Sequence, residues 1–431
     1  MKRYKNLLNN LLCIKKVLAG GGFMTEVRKK PKLNLNFYDA LFMLLLIVTF
    51  YFMRNIICQL MMIIFCGYTC LKFIVKDRKI KFTPYFFFSA LFIFYGALNI
   101  VAGNVIDNGV AKTIVISLTL NLIMTFCIVQ YIYLTQNVYK VLKITEYSIF
   151  IISLLVVLFS LDTIEGNRLG EVTDTINSNR LGILCGFAII LCLYFINEYK
   201  QNKGWYFLRI CIYLIIILLT GSRKSLLMVL FAFMLWSVIK GPKVFLTFIA
   251  SSIFIVAILY FVLMKIPLFY NIVGHRFEDL FELLETNSTD DGSINDRQEL
   301  IKIGWQYILK KPWTGYGYDC FKTISGLGWN GVFFYYSHNN YIELLFSGGI
   351  LAFVLYYLGV VYLLASIIKK ARQNKCMQYL LIILLSKLII EYTYVSYHER
   401  IDSYIVAILL GVMLSVKKED KKAQGVSLCH P

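Results

Sequence analysis

Apolar residues recur along this chain in runs of membrane-spanning length, separated by short charged or polar clusters, and twelve such runs predict twelve helices. Their approximate bounds are 36–53, 55–75, 82–101, 111–133, 144–161, 180–196, 206–220, 225–239, 244–264, 338–367, 379–393 and 401–416. The predicted fold is all-α: a polytopic membrane protein of about twelve transmembrane helices. One connection, 265–337, runs to about 73 residues, and an excursion of that length between spans is usually functional. The chain thus divides into an N-terminal tail (1–35), nine helices (36–264), a large loop (265–337), three helices (338–416) and a C-terminal tail (417–431).

Composition sharpens this picture. Hydrophobic residues make up 58% of the 431 and charged residues only 16%, against about 25% charged in soluble domains, which excludes an ordinary cytosolic enzyme. The net charge of +19 is the odd feature, and its distribution explains it. Lys and Arg concentrate in the N-terminal tail and in alternate connections, 29 basic residues against 7 acidic. By the positive-inside rule both termini are cytoplasmic and 265–337 is external. The outer segments carry 14 basic against 17 acidic residues, so the excess is a topology signal and not a nucleic-acid surface. Of eleven Cys most lie within spans and only Cys320 falls in an external loop, which excludes a disulfide framework there. Cys66 and Cys70, at helical spacing, read as packing residues. HxxxH, CxxC and GxxxxGK[ST] are absent, and no metal, cofactor or nucleotide-energised motif is proposed. Lys15 and Lys16 interrupt any apolar core of a cleavable signal peptide, and Met24 is an alternative start.

Ionisable residues at membrane depth are costly and therefore informative. The turn Thr220-Gly221-Ser222-Arg223-Lys224-Ser225 joins the seventh and eighth predicted spans. Trp205 to Ile239 supplies 35 residues for both, whereas two crossings need about 40. The turn should sit below the outer surface, with Arg223 suited to hold an anion; the competing reading is a snorkelling arginine that anchors the hairpin. In the long loop, Ser293-Ile294-Asn295-Asp296 reads as a capping box that opens a helix ending before Pro312. Ile301, Trp305 and Ile308 then share one apolar face. Arg297 would lie in the first turn, disfavoured by the helix dipole unless an anion is near. Arg276, in VGHRFEDL, is a weaker candidate of the same kind. Where the chain re-enters the membrane, Ser337-His338-Asn339-Asn340-Tyr341-Ile342-Glu343 follows four aromatics, and His338, one of four His, could serve as a base near neutral pH. A histidine bonded to Asn339 or Glu343 at a helix start is the alternative. Lys387 and Glu391 read as an ion pair within the eleventh span, and Trp313-Thr314-Gly315-Tyr316-Gly317-Tyr318 as either a sugar-stacking surface or a packed loop.

In this order, Thr220-Gly221-Ser222-Arg223, Arg297 with Trp305, Pro312 and Gly315-Tyr316-Gly317, and Ser337-His338-Asn339-Asn340-Tyr341 through Gly348-Gly349 resemble the O-antigen ligase and polymerase superfamily of bacterial envelope glycan assembly. Asn179-Arg180-Leu181-Gly182 adds to the match, which spans about 162–360. The resemblance implies a twelve-helix GT-C fold and metal-independent, inverting glycosyl transfer from an undecaprenyl-diphosphate-linked glycan on the outer face of the cytoplasmic membrane. It assigns Arg223 and Arg297 to the donor diphosphate and His338 to the acceptor hydroxyl. Arg180 and Arg276 become further phosphate or glycan contacts, and Asn339, Tyr341, Glu343 and Trp305 substrate-binding residues. Flippase and chain-length regulator proteins are the implied partners, besides membrane lipid. The abundance of Lys, Asn and Ile suggests an AT-rich Gram-positive genome, which favours a polymerase of capsular or exopolysaccharide repeat units over a ligase. A flippase is the competing class, but no internal repeat of the transporter kind is visible.

Overall fold

The computed structural model describes residues 35–51, 56–76, 79–160, 177–199, 202–267, 292–328 and 335–416, with Leu169, Tyr270 and Gly274. Arg276 lies outside the described residues. Among these residues the chain is all-helical: α1 (Phe37–Tyr51), α2 (Ile56–Lys76), α3 (Pro84–Val101), α4 (Asn108–Thr135), α5 (Val138–Phe159), α6 (Ser178–Glu198), α7 (Lys203–Leu219), α8 (Arg223–Lys240), α9 (Pro242–Lys265), α10 (Gly292–Lys310), α11 (Phe321–Gly328), α12 (Asn340–Ala371), α13 (Lys375–Ile390) and α14 (Arg400–Ser415). A helix stands at each of the twelve predicted runs, and α10 and α11 occupy the long connection. Among the described residues six helices, α2 to α6 and α12, are long and apolar enough to cross a membrane, as a multi-pass membrane protein requires.

Helix ends follow local chemistry. Asp107 opens α4 by accepting from the amides of Gly109 and Val110, and Asn137, Asn177, Asn339 and Asn374 cap α5, α6, α12 and α13 in the same way. The helix of the long loop departs from expectation. α10 already begins at Gly292, so Ser293 is inside it and Arg297 falls in the second turn, where the dipole matters less. Its packing face differs too. Leu300, Gly304 and Ile308 are buried, Ile301 is half-buried, and Trp305 is 48% exposed. The cause is Gly304: a Cβ there would stand 2.5 Å from Ile342, so the smallest residue, not the largest, brings α10 onto α12.

The main core joins α1 to α8 and α12 to α14, α3 through Phe86, with α6 buried along nearly its whole length. α4 packs along α14 and α3 along α12. α9 packs chiefly on α8 and leaves Ile253, Phe254 and Phe261 exposed.

One irregularity organises the outer end. α12 is broken at Gly349, whose backbone (φ 65, ψ −168) belongs to glycine alone. Three main-chain bonds tie the break to the glycine-rich loop. Tyr316 N donates to Phe346 O (3.0 Å), Gly317 N to Ser347 O (2.8 Å), and Ile350 N to Pro312 O (2.8 Å). A Cβ on Gly349 would lie 2.3 Å from the Trp313 carbonyl, and one on Gly315 2.5 Å from that of Phe346. The Gly315-Tyr316-Gly317 and Gly348-Gly349 motifs are therefore two halves of one backbone junction. Tyr316 and Tyr318 are buried in it, which favours the packed-loop reading for them, while Trp313 remains exposed.

Gly349→Ala should cost about 1–3 kcal/mol from backbone conformation alone, with the clash in addition. The expected result is a lower thermal unfolding temperature in detergent and faster proteolysis near residue 313. Gly204→Ala, in α7 where an added Cβ would meet nothing within 4 Å, should leave that temperature unchanged or raise it.

Candidate functional site

The hairpin between α7 and α8 ends in a buried turn. Gly221 (φ 60) reverses the chain, and Thr220 closes on the Ile217 carbonyl (2.7 Å). Ser222 Oγ bonds both Asn179 Oδ1 (3.0 Å) and Ser225 Oγ (2.8 Å). Gly182 of α6 makes room, because a Cβ there would sit 2.3 Å from Ser225 Oγ. Asn179-Arg180-Leu181-Gly182 and Thr220-Gly221-Ser222-Arg223, separated by some forty residues, thus form one unit. Arg223 is half-buried at the first position of α8. Lys224 is buried; its Nζ donates to the Thr393 carbonyl (3.2 Å) and stands 5.2 Å from the Tyr394 ring centre. Arg180 pairs with Glu399. The turn between α13 and α14, residues 391–399, therefore backs both cations.

The turn before α12 faces this unit. Ser337 N donates to Glu343 Oε2 (2.9 Å), Ser337 Oγ donates to Asn339 O (2.8 Å), and Asn339 Oδ1 accepts from the amides of Tyr341 (3.0 Å) and Ile342 (3.2 Å). These bonds hold His338 between them at φ 54, a left-handed conformation that costs a non-glycine residue energy and persists when its surroundings enforce it. The His338 ring lies 4.1 Å from that of Tyr336, and its Nδ1 is buried with no hydrogen-bond partner among the described residues. The predicted alternative, a histidine satisfied by Asn339 or Glu343, does not hold for that nitrogen.

Electrostatics show what converges here. Burial pushes the His338 imidazolium down to about 3, and the charges of Arg297 and Lys224 push the same way. The phenol of Tyr336 is raised by burial and by Glu399, while Arg180 and Arg297 pull it down. Cations from α6, α8 and α10 thus act on one pair of rings. Sequence motifs point to Arg297, Arg180 and His338, but do not single out Lys224, Tyr336, Tyr394 or Glu399. Tyr394 and Glu399 carry no local signal, since only the tertiary turn brings them to Arg180.

Other predicted residues serve the frame. Asn339 caps α12, and Tyr341 donates to Leu388 O (2.8 Å) and stacks on Tyr357. Glu343 is fully buried, and its second oxygen has no partner among the described residues. Asn340 does more than expected: its Oδ1 accepts from the amides of Ser396 (2.9 Å) and Tyr397 (3.0 Å), and its Nδ2 donates to Tyr357, which donates to Glu391 (3.0 Å). Lys387 pairs with Glu391 as expected, and Asp402 joins at 3.4 Å. That network pins the His338 turn to the Glu399 turn.

Residues 208–357 match the family model described as O-antigen ligase. The match runs from α7 through the long connection to the middle of α12, and it supports the resemblance to the O-antigen ligase and polymerase superfamily. Members of that family are glycosyltransferase-like enzymes that act on lipid-linked glycans. No curated protein matches the chain.

The depressed His338 predicts a pH effect on the protein alone. An unfolded histidine titrates near 6.5, so the unfolded chain takes up a proton that the folded one refuses. This contribution to stability is full above about pH 6.5 and is lost as pH falls towards 3. In thermal unfolding between pH 7 and pH 4, His338→Gln should lose less stability than wild type; equal losses would contradict this environment for His338.

Proposed function

We propose that this chain is a polysaccharide polymerase that joins undecaprenyl-diphosphate-linked repeat units on the outer face of the cytoplasmic membrane, for capsule, exopolysaccharide or O-antigen. The observation that carries the reading is the convergence of Arg180, Lys224 and Arg297 on His338 and Tyr336. A site with this excess of fixed positive charge, backed by the carboxylate of Glu399, suits a diphosphate. The twelve helices act as spans in this reading, with both termini cytoplasmic.

In the reaction the acceptor hydroxyl oxygen bonds to the anomeric carbon of the donor sugar from the face opposite the diphosphate. The bond from that carbon to the diphosphate oxygen breaks, and the electron pair leaves with the phosphate. Inversion follows from this single displacement. Arg297, Arg223 and Arg180, with Lys224, stabilise the charge that accumulates on the leaving group, as preorganised donors do. The hydroxyl proton passes to His338. In the donor-free site an imidazolium is opposed by Arg297 and Lys224; a bound diphosphate offsets those charges, so the base gains strength when the donor is in place. Strain and burial keep the ring fixed, and no metal ion is needed in this scheme.

Ligation to a different acceptor uses the same chemistry, and the description of the matching family favours it as the second reading. The two differ only in which hydroxyl is presented. Flippase and chain-length regulator proteins remain the proposed partners.

The test is complementation of a deletion strain with His338→Ala, Arg297→Ala or Arg223→Ala, with surface glycan sized by electrophoresis. We expect single-repeat products with intact export. In vitro transfer should fall by about 10²–10⁴-fold for the histidine and about 10²–10³-fold for an arginine. Wild-type chain length from all three variants refutes the site, and lipid-linked units held in the cytoplasmic leaflet would indicate a flippase.

A further inference from the structure

The outward side of α10 changes character along its length. Towards its start the exposed residues are Asn295, Gln298, Glu299 and Lys302. From Trp305 onward large apolar side chains join the exposed surface: Trp305 is 48% exposed, Leu309 75% and Trp313, just past the helix, 61%. The first two follow at one turn's spacing, and Trp313 continues the line. Lys302, Lys310 and Lys311 are exposed beside them, with Lys310 Nζ 5.0 Å from the Tyr307 ring centre and Lys311 Nζ 5.2 Å from that of Tyr316. A water-facing stripe has no reason to end in two tryptophans and a leucine.

The neighbours say what covers it. The Trp313 carbonyl accepts from Tyr95 Oη (3.1 Å) and that of Thr314 from Asn99 Nδ2 (3.4 Å), both on α3. Pro312 O accepts from Ile350 N on α12. α3 and α12 are both candidate membrane spans. Beside those bonds, Phe94, Leu98 and Val101 of α3 and Ile350, Leu351 and Val354 of α12 are exposed. The apolar stripe of α10 is thus continuous with the lipid-facing sides of two spans. α12 has 32 residues, about 48 Å of helix against a hydrocarbon thickness of about 30 Å, so its break at Gly349 falls near the boundary where tryptophan is favoured.

We propose that α10 is a tilted interfacial anchor: its C-terminal third, with Trp305, Leu309 and Trp313, inserts into the adjacent membrane leaflet, and Lys302, Lys310 and Lys311 meet anionic phospholipid headgroups. The boundary crosses the helix between Lys302 and Trp305. Arg297 lies eight residues before Trp305, about 12 Å along the axis, so the anchor fixes the height of that guanidinium above the bilayer. The surface belongs to lipid rather than to sugar rings, and this inference does not rest on the proposed reaction.

The experiment uses the full chain in vesicles of phosphatidylcholine with phosphatidylglycerol. Replacing four of the five tryptophans by Phe leaves Trp305 or Trp313 as the one emitter. A chain carrying Gln298→Trp and lacking the five native tryptophans reports the water side of the same helix. Phospholipid brominated in the upper acyl chain should remove most of the Trp305 and Trp313 emission and leave that of the Gln298→Trp chain nearly intact; aqueous iodide should do the reverse. Should these chains fail to fold, wild-type protein irradiated with a phospholipid bearing a carbene precursor in its upper acyl chain should show adducts on the 305–313 peptide. Iodide quenching of Trp305 and Trp313 without bromolipid quenching, protection by added oligosaccharide, insensitivity to both quenchers, or no adducts would each overturn the anchor.

Discussion

Within a bilayer a broken helix is tolerated only if its freed backbone groups find partners in protein, because lipid offers none. α12 breaks at Gly349, and the loop after α10 supplies what the break needs: amides from Tyr316 and Gly317 for the carbonyls of Phe346 and Ser347, and the Pro312 carbonyl for the amide of Ile350. Everything at this end of the molecule depends on that exchange. It holds the first turns of α12, with the His338 turn at their head, at a fixed angle to the rest of the helix. It also brings the end of α10 onto α3 and α12, so that Arg297 is delivered to the same place.

The second dependence is electrostatic. Two arginines and a lysine gathered on the His338 and Tyr336 rings would repel each other and lose hydration without nearby compensation. Glu399 opposite Arg180 and the Thr393 carbonyl under Lys224 provide some of it. Both come from the turn between α13 and α14. Asn340 binds that turn through the amides of Ser396 and Tyr397, and Lys387, Glu391 and Asp402 brace it from below. Removing an ion pair so deeply buried would therefore disturb the site without touching any residue in it.

Much of this is legible in one dimension. Apolar runs bounded by charge mark each long apolar helix among the described residues, since burial in lipid imposes length and composition together. Arg223, Arg297 and His338 stand out because each breaks a local rule: a cation near membrane depth, a cation expected at a helix start, a rare histidine at the mouth of a span; Arg180 is marked only by the family resemblance. The packing face of α10 and the place of Trp305 are not legible in this way. Apolar periodicity puts large residues at the interface, whereas close packing on α12 selects Gly304.

The sequence by itself determined the class of the protein, the places along the chain where its apolar helices form, and the residue types that could handle a charged leaving group. These are properties of composition and spacing. Only the tertiary structure decided that Tyr394 and Glu399 back Arg180, that Lys224 reaches His338 with its field, and that two glycine motifs some thirty residues apart form one junction. Such facts arise from contacts between segments distant in the chain, where a bond to a carbonyl or the space for a missing Cβ leaves no periodic mark.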